Sequence, residues 1–138
     1  NETNWDIPNG TLLRQVFERI TKAIREVDQN HIIYIEGNDY ANNYTGLTPP
    51  WDDNMVYSFH KYWSTVNDDD LDWVLPMRDK YNVPLWMGES GENSNTWYTR
   101  SISLLEKNDV GWASLPFGWS TRAFYRPAKI FGLCSLTR

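Results

Sequence analysis

The chain has 138 residues, of which 41% are hydrophobic and 22% charged, and this length supports one hydrophobic core and therefore one domain. Its formal net charge of -5 argues against nucleic acid as the main partner, and no apolar run approaches the roughly 18 residues that a membrane helix needs. The single cysteine, Cys134, excludes an internal disulfide and a metal site built from several thiolates.

The first part of the chain predicts a helix followed by two strands. Apolar residues recur at helical spacing from Thr11 to Asp28. The β-branched run from His31 to Gly37 has no polar alternation, which predicts a strand buried on both faces. Residues 38–53 carry Asn-Asp, Thr-Gly and Pro-Pro signals and predict a long loop, after which residues 54–59 have the pattern of a second strand.

The second part continues the alternation of helices and strands. A helix is predicted from Asp68 to Tyr81, although Pro76 should kink it or delay its start. A strand over 83–89, a helix over 94–107 and a strand over 110–115 follow. This order is typical of an α/β fold in which right-handed crossovers join parallel strands.

Polar side chains lie where these strands end. They are Glu36, Asn38, His60, Tyr62 and Glu89. The carboxyl ends of parallel strands share one rim, where the sites of α/β proteins lie. A carboxylate at the end of an apolar strand, as at Glu89, is costly to bury unless it is ion-paired or used in a reaction. A second carboxylate on the rim would allow glycosidic bond cleavage, and both Glu36 and Glu2 are candidates.

The two histidines have different expected roles. His60 and Tyr62 are two residues apart, so their side chains point to the same side if the backbone is extended. The tyrosine hydroxyl could hold a carboxylate ionised and the histidine could bind a sugar hydroxyl, with a purely structural histidine as the alternative. His31 precedes its strand, at the opposite end of the sheet, and is expected to be structural.

Aromatic residues are unusually frequent for a hydrophilic chain, with eight Trp, eight Tyr and five Phe. Trp5, Trp51, Trp63 and Trp97 fall in predicted loops or first turns of helices. The apolar face of a sugar ring stacks on indole, so exposed tryptophans beside carboxylates suit a glycan, while loop packing is the alternative for each. Phosphate-loop, dinucleotide, serine-hydrolase and zinc-protease motifs are missing from the sequence.

Four segments together carry a family resemblance. They are Asn1-Glu2, Ser58-Phe59-His60-Lys61-Tyr62-Trp63, Trp86-Met87-Gly88-Glu89-Ser90-Gly91-Glu92 and Gly111-Trp112-Ala113. With these, residues 1–116 resemble the carboxyl-terminal half of glycoside hydrolase family 5, the clan A cellulases. The resemblance implies a (β/α)8 TIM barrel, of which the chain would supply the end of strand four and strands five to eight.

The same resemblance implies roles for individual residues. Glu2 corresponds to the general acid/base, and Glu89 to the nucleophile. Asn1 corresponds to the residue that holds the 2-hydroxyl of the sugar, while His60 and Tyr62 correspond to residues that bind sugar and orient the nucleophile. We expect Trp5 and Trp97 to add stacking surfaces, and we expect no metal and no cofactor.

The chain also departs from the family pattern. A (β/α)8 barrel takes about 250 residues, so only half is expected here, without the arginine and the histidine of the early strands. Ser114 and Leu115 stand where members commonly carry a tryptophan. Every acidic residue lies at or before Asp109, whereas residues 117–138 form a basic tail with no family counterpart.

The implied function is a secreted or extracellular retaining endo-β-1,4-glucanase that degrades polysaccharide, although no leader segment is visible in this sequence. The carboxylate pair Glu2 and Glu89 favours this function over the alternatives, a non-catalytic glycan-binding module or a structural half-barrel. The expected partner is a β-glucan, with neither nucleic acid nor membrane. A half-barrel also exposes strand edges, so self-association is expected and the chain alone should be a poor catalyst.

Overall fold

The computed structural model of the chain describes Thr3 and residues 10–62, 64–114 and 124–126, the last three and Ser114 by their backbone only. The helices are α1 (Thr11–Arg25), α2 (Asn38–Ala41), α3 (Leu75–Tyr81) and α4 (Asn95–Lys107). The strands are β1 (Ile33–Glu36), β2 (Met55–His60), β3 (Leu85–Glu89), β4 (Gly111–Ser114) and β5 (Phe124–Arg126). None of the helices in the described part is long and apolar enough to span a membrane.

The five strands form one sheet in chain order. β1, β2, β3 and β4 are parallel neighbours, which confirms the predicted α/β topology with a shared carboxyl rim. β5 pairs with β4 in the antiparallel direction. β5 therefore covers the edge of β4, and β1 and β5 are the outer strands of the described sheet.

The three predicted helices are present with changed bounds, and the short α2 lies in the segment 38–53 that was predicted to be a loop. α1 ends at Arg25, three residues early, because the amides of Val27 and Asp28 both bond the carbonyl of Ile24 in a closing turn. α3 begins only at Leu75, so the proline in its first turn delays the helix as predicted. In α4 the Ser94 hydroxyl caps the helix by accepting the amide of Trp97 at 3.2 Å.

The core lies between the sheet and its helices. Tyr57, Phe59, Leu85 and Met87 are each at most 1% exposed on the helix-facing side of β2 and β3. β2 is buried along its whole length, but Tyr34 in β1 is 49% exposed. The prediction that the first strand is buried on both faces is therefore wrong, since only its alternate residues face the helices.

Candidate active site

Glu89 and Tyr62 meet at the carboxyl rim of the sheet. Glu89 ends β3, and the Tyr62 hydroxyl donates a hydrogen bond of 3.0 Å to its Oε2. Gly88 precedes it at a crowded point, where a Cβ would lie 2.3 Å from the Ser58 hydroxyl of the neighbouring strand. A larger residue at position 88 would have to displace that hydroxyl, and Tyr62 bonds Glu89 as predicted from the sequence.

His60 lies between two carboxylates. Its Nε2 is 3.2 Å from Glu36 Oε1 and its Nδ1 is 3.8 Å from Glu89 Oε2, while the side chain is 2% exposed. The strand register produces this arrangement because His60 pairs with Glu89 across a bulge between β2 and β3. With a proton on Nε2 the ring donates to Glu36, and the 3.8 Å from Nδ1 to Glu89 is longer than a hydrogen bond.

Glu36 therefore lies at the site as a neighbour of His60 and not as a direct partner of Glu89. It was one of two candidate partners for Glu89 in a carboxylate pair, yet the imidazole of His60 stands between the two side chains. Both ring nitrogens of His60 face carboxylates, and its expected contact with a sugar stays a prediction. No motif in the sequence signalled a carboxylate–imidazole–carboxylate row, since its members come from three strands.

A pocket of about 700 Å³ opens at this rim, a volume within the range of small-ligand sites. Its walls are formed by Tyr40, Asn42, His60, Lys61, Tyr62, Ser64, Glu89 and Glu92. Tyr40 belongs to α2, where Asp39, Tyr40 and Ala41 all have left-handed backbone conformations, with φ of 53°, 55° and 64°. Such conformations are costly for residues other than glycine, and here they place a half-exposed tyrosine at the pocket.

Lys61 anchors the loop that follows β2. Its side chain is 7% exposed, and Nζ donates to Asp70 Oδ2 at 2.9 Å, to the Ser64 hydroxyl at 2.6 Å and to the Thr65 carbonyl at 3.0 Å. The three protons of the ammonium are thereby used, which compensates its burial. No role was predicted for Lys61, although a lysine between His60 and Tyr62 in a buried segment indicates a paired ammonium.

Of the four tryptophans considered in the sequence, Trp51 and Trp97 are described, and both pack within the fold. Trp97 is 9% exposed and its indole donates to the Ser64 carbonyl at 2.7 Å, so the expectation of an exposed ring is wrong, while its part in sugar binding stays a prediction. Trp51 donates to the Thr21 hydroxyl at 3.0 Å and packs under Arg14, at the amino end of β2. In both cases loop packing, the alternative considered, is what the structure shows.

Four of the expected site residues lie outside the described residues: Asn1, Glu2, Trp5 and Trp63. Their roles remain predictions. Within the described part of the chain, no group of three or more histidine, cysteine, aspartate or glutamate side chains is arranged to hold a metal ion.

At the opposite end of the sheet, Asp28 bonds the backbone amides of Asn30 and His31 and the ring of His31. The two backbone bonds are the main reason why the pKa of Asp28 falls to about 2. Nearby, Arg25 holds Asp52 with two bonds of 2.8 Å, which lowers the pKa of that carboxyl. His31 is 85% exposed here, in agreement with its predicted structural role.

Comparison with protein families gives a match over most of the chain. A family model described as cellulase (glycosyl hydrolase family 5) matches residues 1–122. No curated protein sequence matches the chain at a significant level.

Several solved structures share the fold at low sequence identity. Subunit Z of the clostridial cellulose synthase from Clostridioides difficile has a TM-score of 0.68 and 21% identity, with 76% of this chain covering 48% of that one. Cel5A from Thermotoga maritima has a TM-score of 0.70 and 17% identity, with shares of 85% and 50%. A β-mannanase from Streptomyces thermolilacinus has a TM-score of 0.58 and 16% identity, with shares of 88% and 45%.

The chain spans about half the length of the structures it matches. Its four parallel strands and their helices have the α/β fold of a (β/α)8 barrel over that half. The site described above lies at the carboxyl ends of these strands, which is the face that carries the active sites of such barrels.

Proposed function

Because the chain belongs to glycosyl hydrolase family 5, we propose that it carries the nucleophile of a retaining β-glycan hydrolase, with Glu89 as nucleophile and Glu2 as general acid/base. The observation that supports this most directly is the 3.0 Å bond from the Tyr62 hydroxyl to Glu89 Oε2 at the wall of the rim pocket. This bond fixes the orientation of the Glu89 carboxylate, which a displacement at carbon requires.

The proposed reaction has two displacements. The Glu89 carboxylate attacks the anomeric carbon while Glu2 gives its proton to the leaving oxygen, and a glycosyl ester forms on Glu89. Water, deprotonated by Glu2, then cleaves the ester and restores both carboxyl groups. Retaining enzymes hold the two carboxyls about 5 to 5.5 Å apart, and we expect this separation between Glu2 and Glu89.

His60 and Glu36 support the nucleophile in this proposal. Esterification removes the charge of Glu89, and the imidazole keeps its bond of 3.2 Å to Glu36 while that happens. The row therefore holds its geometry through both displacements. Its function is to keep the carboxylate at the end of β3 in one orientation, which is the positional requirement of a displacement at carbon.

We propose a β-1,4-linked glucan as the substrate and an extracellular location for the enzyme. The matching family model is described as cellulase, and the Cel5A structure was solved with cellobiose. β-mannanases share the fold as well. Incubation with soluble glucan and soluble mannan, with reducing ends counted, separates the two preferences.

Covalent trapping tests the role of Glu89. An activated 2-deoxy-2-fluoro-β-cellobioside should form a stable ester with the nucleophile, because the fluorine slows its hydrolysis more than its formation. We expect one cellobiosyl group per chain, located on Glu89 by peptide mass spectrometry. Glu89→Gln should not be labelled.

Glu92 provides a matched control because it lines the same pocket as Glu89. Glu92→Gln should still be labelled on Glu89. A label on Glu92, or on any residue other than Glu89, would contradict the proposed nucleophile. If cellobiose binds but no label forms, the site acts as a non-catalytic glycan-binding site.

A further inference from the structure

A second recess lies between the segment that follows α2 and helix α3, and we call it the aromatic groove. Its volume is about 460 Å³. Its walls are formed by Asn42, Asn43, Tyr44, Thr45, Thr48, Trp73, Pro76, Met77, Lys80 and Tyr81. The proposed reaction uses none of these side chains.

Trp73 forms a fixed and accessible platform in the aromatic groove. One side of its indole stacks on Tyr44, with ring centroids 6.1 Å apart and planes 13° from parallel, and Phe59 meets it edge-on at 5.8 Å. Tyr44 is itself 8% exposed and donates its hydroxyl to the Ser58 carbonyl. Because Tyr44 covers one side and Trp73 is 45% exposed, the opposite side of the indole faces outward.

The remaining walls favour a neutral, hydroxylated ligand. Amides of Asn42 and Asn43 and hydroxyls of threonine can exchange hydrogen bonds with sugar hydroxyls. None of the described lining residues is acidic, and Lys80 lies 4.9 Å from the centre of the Tyr81 ring. An aromatic face combined with a few polar groups is the composition of a sugar site.

The aromatic groove adjoins the pocket at Glu89, since Asn42 is a wall residue of both. We propose that the aromatic groove is an outer subsite that holds the continuation of a β-1,4-glucan chain bound at Glu89, with one sugar ring stacked on the outward side of Trp73. This inference rests on the proposed function, since it assigns a second segment of the same substrate.

Binding of short and long ligands to the full chain tests the outer subsite. We expect cellohexaose to bind about tenfold more tightly than cellobiose, because only the longer ligand reaches the aromatic groove. Trp73→Ala should weaken cellohexaose binding about five- to tenfold, the scale of one lost ring contact. Cellobiose binding and the labelling of Glu89 should not change. Isothermal titration measures both affinities.

Two variants separate stacking from general damage. Trp73→Tyr keeps an aromatic face and should retain most of the cellohexaose affinity. Tyr34→Ala removes a comparably exposed ring, 49% against 45%, from β1 and should have no effect. If Trp73→Ala does not fold, binding is followed in the unaltered chain by the shift of the Trp73 indole N–H resonance on addition of cellohexaose. Comparison with Trp73→Tyr assigns that resonance.

The outcomes distinguish the two proposals. A Trp73 resonance that does not shift at saturating cellohexaose, or a folded Trp73→Ala variant with unchanged affinity, would overturn the outer subsite while leaving Glu89 labelling intact. If Glu89 is not labelled but cellohexaose still depends on Trp73, the proposed reaction fails and the aromatic groove remains a sugar-binding surface.

Discussion

The two ends of the sheet each hold a histidine beside carboxylates, and their settings differ. At the carboxyl rim, His60 is 2% exposed and faces Glu36 and Glu89, which come from other strands. At the amino end, His31 is 85% exposed and pairs with Asp28, three residues earlier. The exposed pair closes a turn, whereas the buried row exists only because three parallel strands are in register.

This comparison shows which features of an ion pair point to a site. The contact between Asp28 and His31 joins residues that are three apart in the chain, and it stabilises a turn. The row of Glu36, His60 and Glu89 brings titratable side chains together where burial makes a charge costly, and it borders a pocket. We therefore expect substitutions at the rim to affect chemistry and those at the amino end to affect only stability.

The largest expected effect is that of Glu89→Gln. Removal of the nucleophile removes the covalent step, so we expect turnover to fall to the level of a blank without protein. Release of nitrophenol from an aryl β-cellobioside measures it, with the unaltered chain at equal concentration as reference. His31→Gln at the amino end should leave turnover unchanged. Residual turnover within tenfold of the unaltered chain would place the nucleophile elsewhere.

Much of the fold and part of the site followed from the sequence. The prediction that Pro76 delays the start of α3 is correct. The expectation from the spacing of His60 and Tyr62 that a tyrosine lies near Glu89 is also met. These features depend on local geometry and on where strands end. The exposure of Trp97 was misjudged because a first turn of a helix can face the core, and that depends on the loop packed over it.

The next prediction compares two ion pairs, one near each end of the sheet. Asp70→Asn removes the counter-charge of the buried Lys61 ammonium, which keeps only neutral acceptors, and should lower the free energy of unfolding by about 2 to 3 kcal/mol. Asp52→Asn removes the partner of Arg25 and should cost about 1 to 2 kcal/mol, since the guanidinium keeps two carbonyl acceptors. Urea denaturation gives both values.

The chemical readout distinguishes these pairs further. Lys61 anchors the loop that carries Tyr62, so Asp70→Asn should also slow the labelling of Glu89 under conditions where the variant is fully folded. Asp52→Asn should leave that rate unchanged. Equal labelling rates in the two variants would show that the anchor stabilises the fold without positioning Tyr62.

Glu36→Gln tests the row itself. The amide is close in size to the carboxylate but carries no charge to hold the His60 ring, so we expect labelling of Glu89 to slow about 5- to 30-fold. The melting temperature serves as the stability control. The sequence gave Glu36 only as an alternative catalytic partner, and the register across three strands reveals it as the support of His60. A labelling rate equal to that of the unaltered chain would contradict this role.

The smallest effect concerns the amino end and sets the scale for the comparison. The pKa of Asp28 is about 2, below the ordinary 3.8, so its ionised form stabilises the folded state. That contribution is fully present above about pH 4 and is lost as the pH falls towards 2. The backbone amides of His31 and Asn30 are the main cause of the low pKa, ahead of the imidazole.

His31→Gln should therefore leave the Asp28 pKa well below 3.8 in a carbon-detected NMR titration. Asp28→Asn keeps an oxygen for the two amides and should remove this part of the acid dependence of stability. A return of the Asp28 pKa to its ordinary value in His31→Gln would show that the exposed ion pair, like the buried row at the rim, depends on its imidazole.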